Sequence, residues 1–256
     1  MTKTGSTRSD ALADVELARA VAELAGRLLV ELQGSGLYEG AALGQVGDRA
    51  ANAVIMEALR ANRPEDAILS EEEKDSPSRL SARRVWVVDP LDGTREYGER
   101  RADWAVHVAL AIDGEPALGA VALPGVPLTL CSATPPAASE PPKRLRMVVS
   151  RTRPAAEALS VAKALDAELL PMGSAGAKAM AVVRGEADIY LHTGGQYEWD
   201  NCAPAAVALA AGLHVSRVDG SPLRYNNRDP YLPDLLICPK RLAERVLGLV
   251  AAAEKA

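Results

Sequence analysis

The sequence predicts a layered α/β (α+β) fold, and three observations carry that prediction. The N-terminal third opens on long amphipathic helical patterns. Residues 104–131 alternate apolar runs with the turn signals Asp113-Gly114 and Pro124-Gly125. The second half alternates short apolar runs with Ala-rich helical stretches. Strands that alternate with helices bury both faces of a sheet and so build layers.

The elements follow in order. Residues 10–33 read as one helix, because Leu17, Val21, Leu24 and Leu28 recur at helical spacing. Asp10 suits its N-cap, and Gly34 and Gly36 suit its end. A second helix is predicted over about 48–61, after a Gly-rich stretch. AILS (67–70) and RVWVVD (84–89) read as buried strands, each running straight into acidic residues. The 104–131 segment reads as an antiparallel meander. Four prolines in 132–144 mark a connector at 134–144. It separates an N-terminal half (1–133) from a C-terminal half (145–256). Beyond it come a strand at 145–150, a helix at 154–165, a Gly-started helix at 173–185 and a strand at 187–192. A helix at 199–212, a strand at 235–239 and a final helix at 240–254 complete the series.

Composition bounds the function. The chain has 256 residues, 48% of them hydrophobic, with 4% aromatics and no Phe. Its core must rely on Ala, Val, Leu and Ile. A formal charge of -5 excludes general affinity for a nucleic-acid backbone. A small anionic partner stays allowed, since local groups and bound cations override net charge. The three cysteines form no CxxC pair and suit a reducing, cytoplasmic setting. The opening MTKTGSTRSD has no apolar signal core, and no apolar run reaches the ~20 residues that span a bilayer.

Five features carry chemistry. In VWVVDPLDGT a buried strand ends at Asp89, Pro90 stops it, Asp92 follows, and Gly93 lets the chain turn closely. Two carboxylates, the Leu91 carbonyl and the Thr94 hydroxyl make a hard-oxygen set that suits Mg²⁺. The same loop also reads as a turn whose aspartates satisfy backbone N–H groups. Glu71-Glu72 end another strand, where α/β sheets bind ligands, yet SEEEKDS also reads as a solvated turn. Asp200 opens a helix, as a metal ligand beside an anion-attracting helix end or as a simple N-cap; Asn201 could cap as well, with Pro204 in the first turn. Asp48 stands at the start of the second helix, as an N-cap or as a base for an attacking water. Gly173-Ser174-Ala175-Gly176 opens a helix without Walker spacing, and could cradle a substrate or only permit close packing. There is no HExxH, GxSxG or GxGxxG, and His107, His192 and His214 are scattered.

Taken together, the strand followed by SEE, VWVVDPLDGT and WDNCAPAAVALAAG resemble the inositol monophosphatase superfamily. GSAGAKAMAV, GGQYEWD and DGSPLRYN are most similar to its 3'(2'),5'-bisphosphate nucleotidases of the CysQ type. The resemblance implies a five-layer α-β-α-β-α sandwich of the sugar-phosphatase type. It implies two or three Mg²⁺ per site and inhibition by Li⁺. Glu71, Asp89 and the Leu91 carbonyl would hold the first ion, and Asp89, Asp92 and Asp200 the second. Gly93 and Thr94 would donate to the phosphate, and Asp48 with Thr94, or Glu71, would activate the water. Gly173, Ser174, Gly195, Gln196 and Glu198 would flank the leaving group.

The implied activity is removal of the 3'-phosphate of adenosine 3',5'-bisphosphate by direct attack of metal-activated water. The rival activities are inositol monophosphatase and fructose 1,6-bisphosphatase; a rival of another class is a cation- or phosphate-binding protein without catalysis. The implied partner is a small phosphate ester rather than a nucleic-acid polymer or a membrane, and the superfamily is often dimeric, so a homodimer is an expectation. The chain departs from the family in GLYEGAALGQVG, which lacks the Lys and Thr that usually precede the first acidic residue, and in Gly212-Leu213 where Gly-Gly is usual.

Overall fold

The computed structural model describes residues 8–136 and 142–253. The middle of the Pro-rich connector, 137–141, lies outside the described residues.

Two helices come first, α1 (Arg8–Gly34) and α2 (Gly40–Asn62). Five strands follow, β1 (Ala67–Ser70), β2 (Arg84–Asp92), β3 (Ala105–Ile112), β4 (Glu115–Leu123) and β5 (Leu128–Cys131), with a short 3₁₀ turn at Pro77–Ser81 and the short helix α3 (Thr94–Gly98) between them. They form a first sheet in chain order, with β1 parallel to β2 and the rest antiparallel. The second half gives β6 (Arg146–Ser150), α4 (Ala156–Leu165), β7 (Glu168–Met172), α5 (Ala175–Val183), β8 (Ile189–His192), β9 (Gln196–Tyr197) and α6 (Glu198–Ala210). The chain ends with β10 (His214–Ser216), β11 (Tyr231–Leu232), β12 (Leu235–Cys238) and α7 (Lys240–Ala253). The second sheet runs β10-β12-β8-β6-β7, and β9 pairs with β11 as a separate ribbon.

Three apolar cores separate five layers. One lies between the α1/α2 pair and the first sheet, with Leu29, Ile55, Trp86 and Leu110. A central one lies between the two sheets and holds α5 and α6, with Ala177, Met180, Ala203 and Val207. The third lies between the second sheet and α4/α7, with Met147, Val161, Leu236 and Val246. The order is therefore α-β-α-β-α. Period-two alternation assigns the faces: in β3, Val106, Val108 and Leu110 join the outer core, while Ala105, Ala109 and Ala111 join the central one.

Four boundaries differ from the sequence reading: α1 starts at Arg8, ahead of Asp10, β2 runs on past Pro90 to Asp92, and two helix starts move. The second helix starts at Gly40 rather than 48, so Asp48 is buried within it and is no N-cap. Glycine is a poor helix former, but Gly44 and Gly47 let α2 approach closely: a Cβ would come 2.6 Å from Thr94 Cγ2 at the first and 2.8 Å from the Tyr97 ring at the second. α6 starts at Glu198 with Tyr197 as its N-cap, so neither Asp200 nor Asn201 is the N-cap residue: Asp200 is the third helical residue, its side chain accepting from the Tyr197 N–H, and Pro204 lies inside the helix. The strands β9, β10 and β11, the turn at 77–81 and α3 are too short to stand out in the sequence, and Pro171 interrupts the apolar run of β7. All three cysteines are free and buried, and no helix among the described residues is long and apolar enough to cross a membrane.

Candidate active site

The site forms where β1 and β2 end. Asp89 pairs with His107 on β3 and Asp92 pairs with Ala105, so three steps on β2 match two on β3. Pro90 has no N–H for the ladder, and the strand bulges there. Strict alternation would send Asp89 and Asp92 to opposite faces. The extra residue turns Asp92 to the face that Asp89 already occupies, toward α5 and α6. Ser70 pairs with Val88, and the Glu71 N–H donates to the Val88 carbonyl at 3.2 Å, so Glu71 falls beside Asp89.

α6 supplies Asp200 from its first turn. Its Oδ2 accepts from the Tyr197 N–H at 2.6 Å, which fixes the side chain. Asp89, Asp92 and Asp200 each present an oxygen within 4.8 Å of the others. α2 brings Asp48 from the other side of the sheet: Thr94 Oγ1 lies 3.2 Å from Asp48 Oδ2 and 3.2 Å from the Leu91 carbonyl. One turn on, Asn52 accepts from Ser70 Oγ at 2.8 Å and donates to Glu73 at 3.0 Å, locking α2 against the acidic loop. Gly93 turns with φ 90°, and a Cβ there would stand 3.1 Å from Ser174 and 3.3 Å from Trp104.

The carboxyls repel one another, and their acidities record it. Burial, then Glu71, Asp92 and Asp200, hold Asp89 well above the carboxylate range. Burial and Glu72 push Asp48 up to about 7, against the Thr94 hydroxyl. Burial and Asp92 push Asp200 up to about 6. Glu71 reaches solvent at the rim, yet its carboxyl is packed among protein atoms and faces Asp200 and Asp48, which together push it up to about 7. Solvent screening makes its charge less costly than that of Asp89. Asp92 goes the other way: burial raises it, but His107, Ser174 and the Gly176 N–H outweigh burial and hold it at about 2. Asp92 Oδ1 accepts from the Ala175 N–H at 3.1 Å, and its Oδ2 accepts from the Gly176 N–H at 2.6 Å and from the Ser174 hydroxyl.

An all-oxygen, mutually repelling set suits a hard divalent cation. Asp48 Oδ1 supports that fit, because it is buried with no hydrogen-bond partner.

The leaving-group side departs from expectation. Ser174 caps α5 by accepting from the Ala177 N–H at 2.9 Å and donates to Asp92, and Gly173 packs on Glu96 while its N–H donates to Asp103 at 2.7 Å. These residues join loop to loop. Gln196 and Glu198, expected to flank the leaving group, are both buried. Gln196 bonds Tyr190 and Asn201, and Glu198 accepts from the N–H groups of Asn226 and Asn227, both at 2.7 Å. Gly195 packs on Tyr231 with φ 80°.

The sequence singles out no role for Lys178 and reads His107 as one of three scattered histidines, yet both lie buried beside the cluster. Lys178 donates to the carbonyls of Gly173 and Ser174 beneath the site, and burial lowers its pKa despite Asp92. His107 is fully buried. Its burial works against protonation, but Asp92 raises its pKa overall. Each is a lone polar residue in an apolar element, a pattern that needs a partner.

The model of the inositol monophosphatase family matches residues 10–255. The 3'-phosphoadenosine 5'-phosphate phosphatase of Mycobacterium bovis is 49% identical over 242 residues, covering 90% of each chain. The 3'(2'),5'-bisphosphate nucleotidase CysQ of Escherichia coli K12 is 35% identical over 199 residues, covering 72% of this chain and 80% of that one. Among solved structures, CysQ from Bacteroides thetaiotaomicron superposes with a TM-score of 0.79 at 24% identity, over 90% of this chain and 98% of that one. With the family model spanning nearly the whole length and the five-layer fold in common, the chain belongs to the inositol monophosphatase family.

Proposed function

We propose that this chain is a magnesium-dependent phosphomonoesterase that removes the 3'-phosphate of adenosine 3',5'-bisphosphate. The convergence of Asp89, Asp92 and Asp200, with Glu71 and Asp48 beside them, carries the reaction class. The substrate follows from the names of the relatives at 49% and 35% identity.

Asp89, Asp92, Asp200, Glu71 and the Leu91 carbonyl are the groups that would hold divalent cations. Such cations offset phosphate charge and ease the ionisation of water. The chain's own residues do the rest. Asp48, near 7, accepts a proton at its free Oδ1. The Thr94 hydroxyl has one proton and two acceptors, and it holds Asp48 toward the loop. Glu71 at the rim is the second proton acceptor. The N–H groups of Gly93 and Thr94 donate to the phosphate. Gly173, Ser174 and Gly195 bound the leaving-group side. The Ser174 hydroxyl is engaged with Asp92 and with the Ala177 N–H, and the attack in this reading is direct, by water. Lithium inhibition follows from the same cation sites.

The test compares kcat/KM for adenosine 3',5'-bisphosphate, inositol 1-phosphate and fructose 1,6-bisphosphate on one preparation with Mg²⁺. The first is expected to lead by at least tenfold. Preference for either other ester would overturn the substrate. No phosphate release from any of them would overturn the reaction class.

A further inference from the structure

His107 sits where the acidic β2 loop, the acidic first turn of α6 and the start of α5 meet. It is directly opposite Asp89 across the β2–β3 ladder, and cross-strand partners share a face. Its Nε2 lies 3.3 Å from Asp92 Oδ2. The approach is off the line of a hydrogen bond, so the contact is one of proximity. Its Nδ1 lies 3.0 Å from the carbonyl of Trp199, the residue before Asp200. A carbonyl only accepts, so Nδ1 is the donor there. The ring therefore spans from the bulged loop of β2 to the first turn of α6.

The packing around the ring is built to the same end. A Cβ at Gly176 would run into His107 Nε2, and it would come 3.0 Å from Ala105 Cβ. Glycine thus lets α5 close over the ring while its own N–H donates to Asp92. A purely apolar β3 would leave Asp92 without this neighbour and the Trp199 carbonyl without a donor from the first sheet.

We propose that His107 is a positioning residue for the cation site: it orients the Asp92 carboxylate and ties the start of α6 to the β2 loop, so that Asp92 and Asp200 converge. The proposal rests on the reading that the carboxylate cluster holds divalent cations. Partners that orient metal ligands typically contribute about 10–100-fold in metal affinity.

The experiment titrates Mg²⁺ against the melting temperature and intrinsic tryptophan fluorescence of wild type, His107→Asn and His107→Val. Asn keeps an N–H that can reach the Trp199 carbonyl and removes the group facing Asp92; Val removes both. The Mg²⁺ midpoint is expected to rise about 10–100-fold in His107→Asn and further in His107→Val. Activity of His107→Asn is expected to recover as Mg²⁺ is raised, with KM for the ester at saturating Mg²⁺ within twofold of wild type. A folded His107→Asn with the wild-type midpoint would overturn the proposal. A wild type whose melting temperature and fluorescence ignore Mg²⁺ would instead overturn the cation reading, so the two failures are distinct. A wild-type measurement covers variants that do not fold: the ¹⁵N shift of His107 Nε2 is expected to move on Mg²⁺ addition, and an unmoved signal in a protein that binds Mg²⁺ would overturn the assignment.

Discussion

At the scale of single residues, Asp89 and Asp92 show how environment separates two like groups. They lie three positions apart on one strand, yet Asp89 is held well above the carboxylate range and Asp92 at about 2. The difference comes from partners: Asp92 has two N–H groups, a hydroxyl and His107, while Asp89 accepts from the Leu91 N–H, at 3.0 Å, and otherwise faces carboxyls. Thr94 is the residue whose removal best isolates the proton acceptor. Thr94→Ala leaves the carboxylate cluster in place but frees Asp48. Its kcat is expected to fall about 10²–10⁴-fold, the usual contribution of a positioned acid–base group, with KM little changed. Steady-state kinetics checks this, and a kcat within threefold of wild type would remove the Asp48–Thr94 pair from the mechanism. The carboxylates of VWVVDPLDGT were legible as a hard-oxygen set because residue type alone decides donor chemistry. Their opposite acidities were not legible, because each depends on groups from β3 and α5.

At the scale of elements, the site is held by helices that approach the first sheet unusually closely. α6 lies against β4 at Gly119, where a Cβ would stand 2.8 Å from Ala203 Cα and 2.9 Å from the Ala203 carbonyl. Backbone cannot yield as a flexible side chain can. Gly119→Ala is therefore expected to destabilise the fold by about 1–3 kcal/mol, as overpacking does, and to move Asp200 away from Asp92. The urea midpoint is expected to fall, and the Mg²⁺ needed for half-maximal activity to rise. An unchanged midpoint would show that α6 can shift at no cost. Helix and strand existence was readable from periodicity over most of the chain. The ends were not: α2 begins in a glycine-rich stretch whose poor propensity is overridden by packing on Thr94 and Tyr97.

At the scale of the whole molecule, the acidic cluster links stability to pH and to cations. Asp48, Glu71, Asp89 and Asp200 are all raised above their ordinary values. Between about pH 4 and pH 7 the folded chain then binds more protons than the unfolded one, so stability falls as pH rises through that window. Asp92 contributes oppositely, but only below its ordinary range, where its stabilising charge is lost as pH falls toward 2. In chelator, the melting temperature is expected to be higher near pH 5 than near pH 8. At pH 8, Mg²⁺ at about 100-fold its Kd should add about 2.7 kcal/mol, or about 5–10 °C for a chain of this size. The gain should shrink near pH 5, where protons compete. Calorimetry at both values checks it, and a Mg²⁺ effect independent of pH would contradict carboxylate ligation.

The sequence by itself determined the layered class and the donor chemistry of the site. Both follow from local pattern: apolar periodicity assigns elements, and the acidic residues after AILS and VWVV mark strand ends. The order SEE, DPLDGT and WD gave the family resemblance, which the match over residues 10–255 bears out. Only the tertiary structure decided which way the carboxylates face. The bulge at Pro90 turns Asp92 onto the face of Asp89, and α6 reaches the same point from a residue 108 positions away. It also moved Gln196 and Glu198 into the core and brought His107 to Asp92. The physical reason is common to all four. Each outcome depends on contacts between segments far apart in the chain, and a pattern read along one strand or helix contains no information about what packs against it.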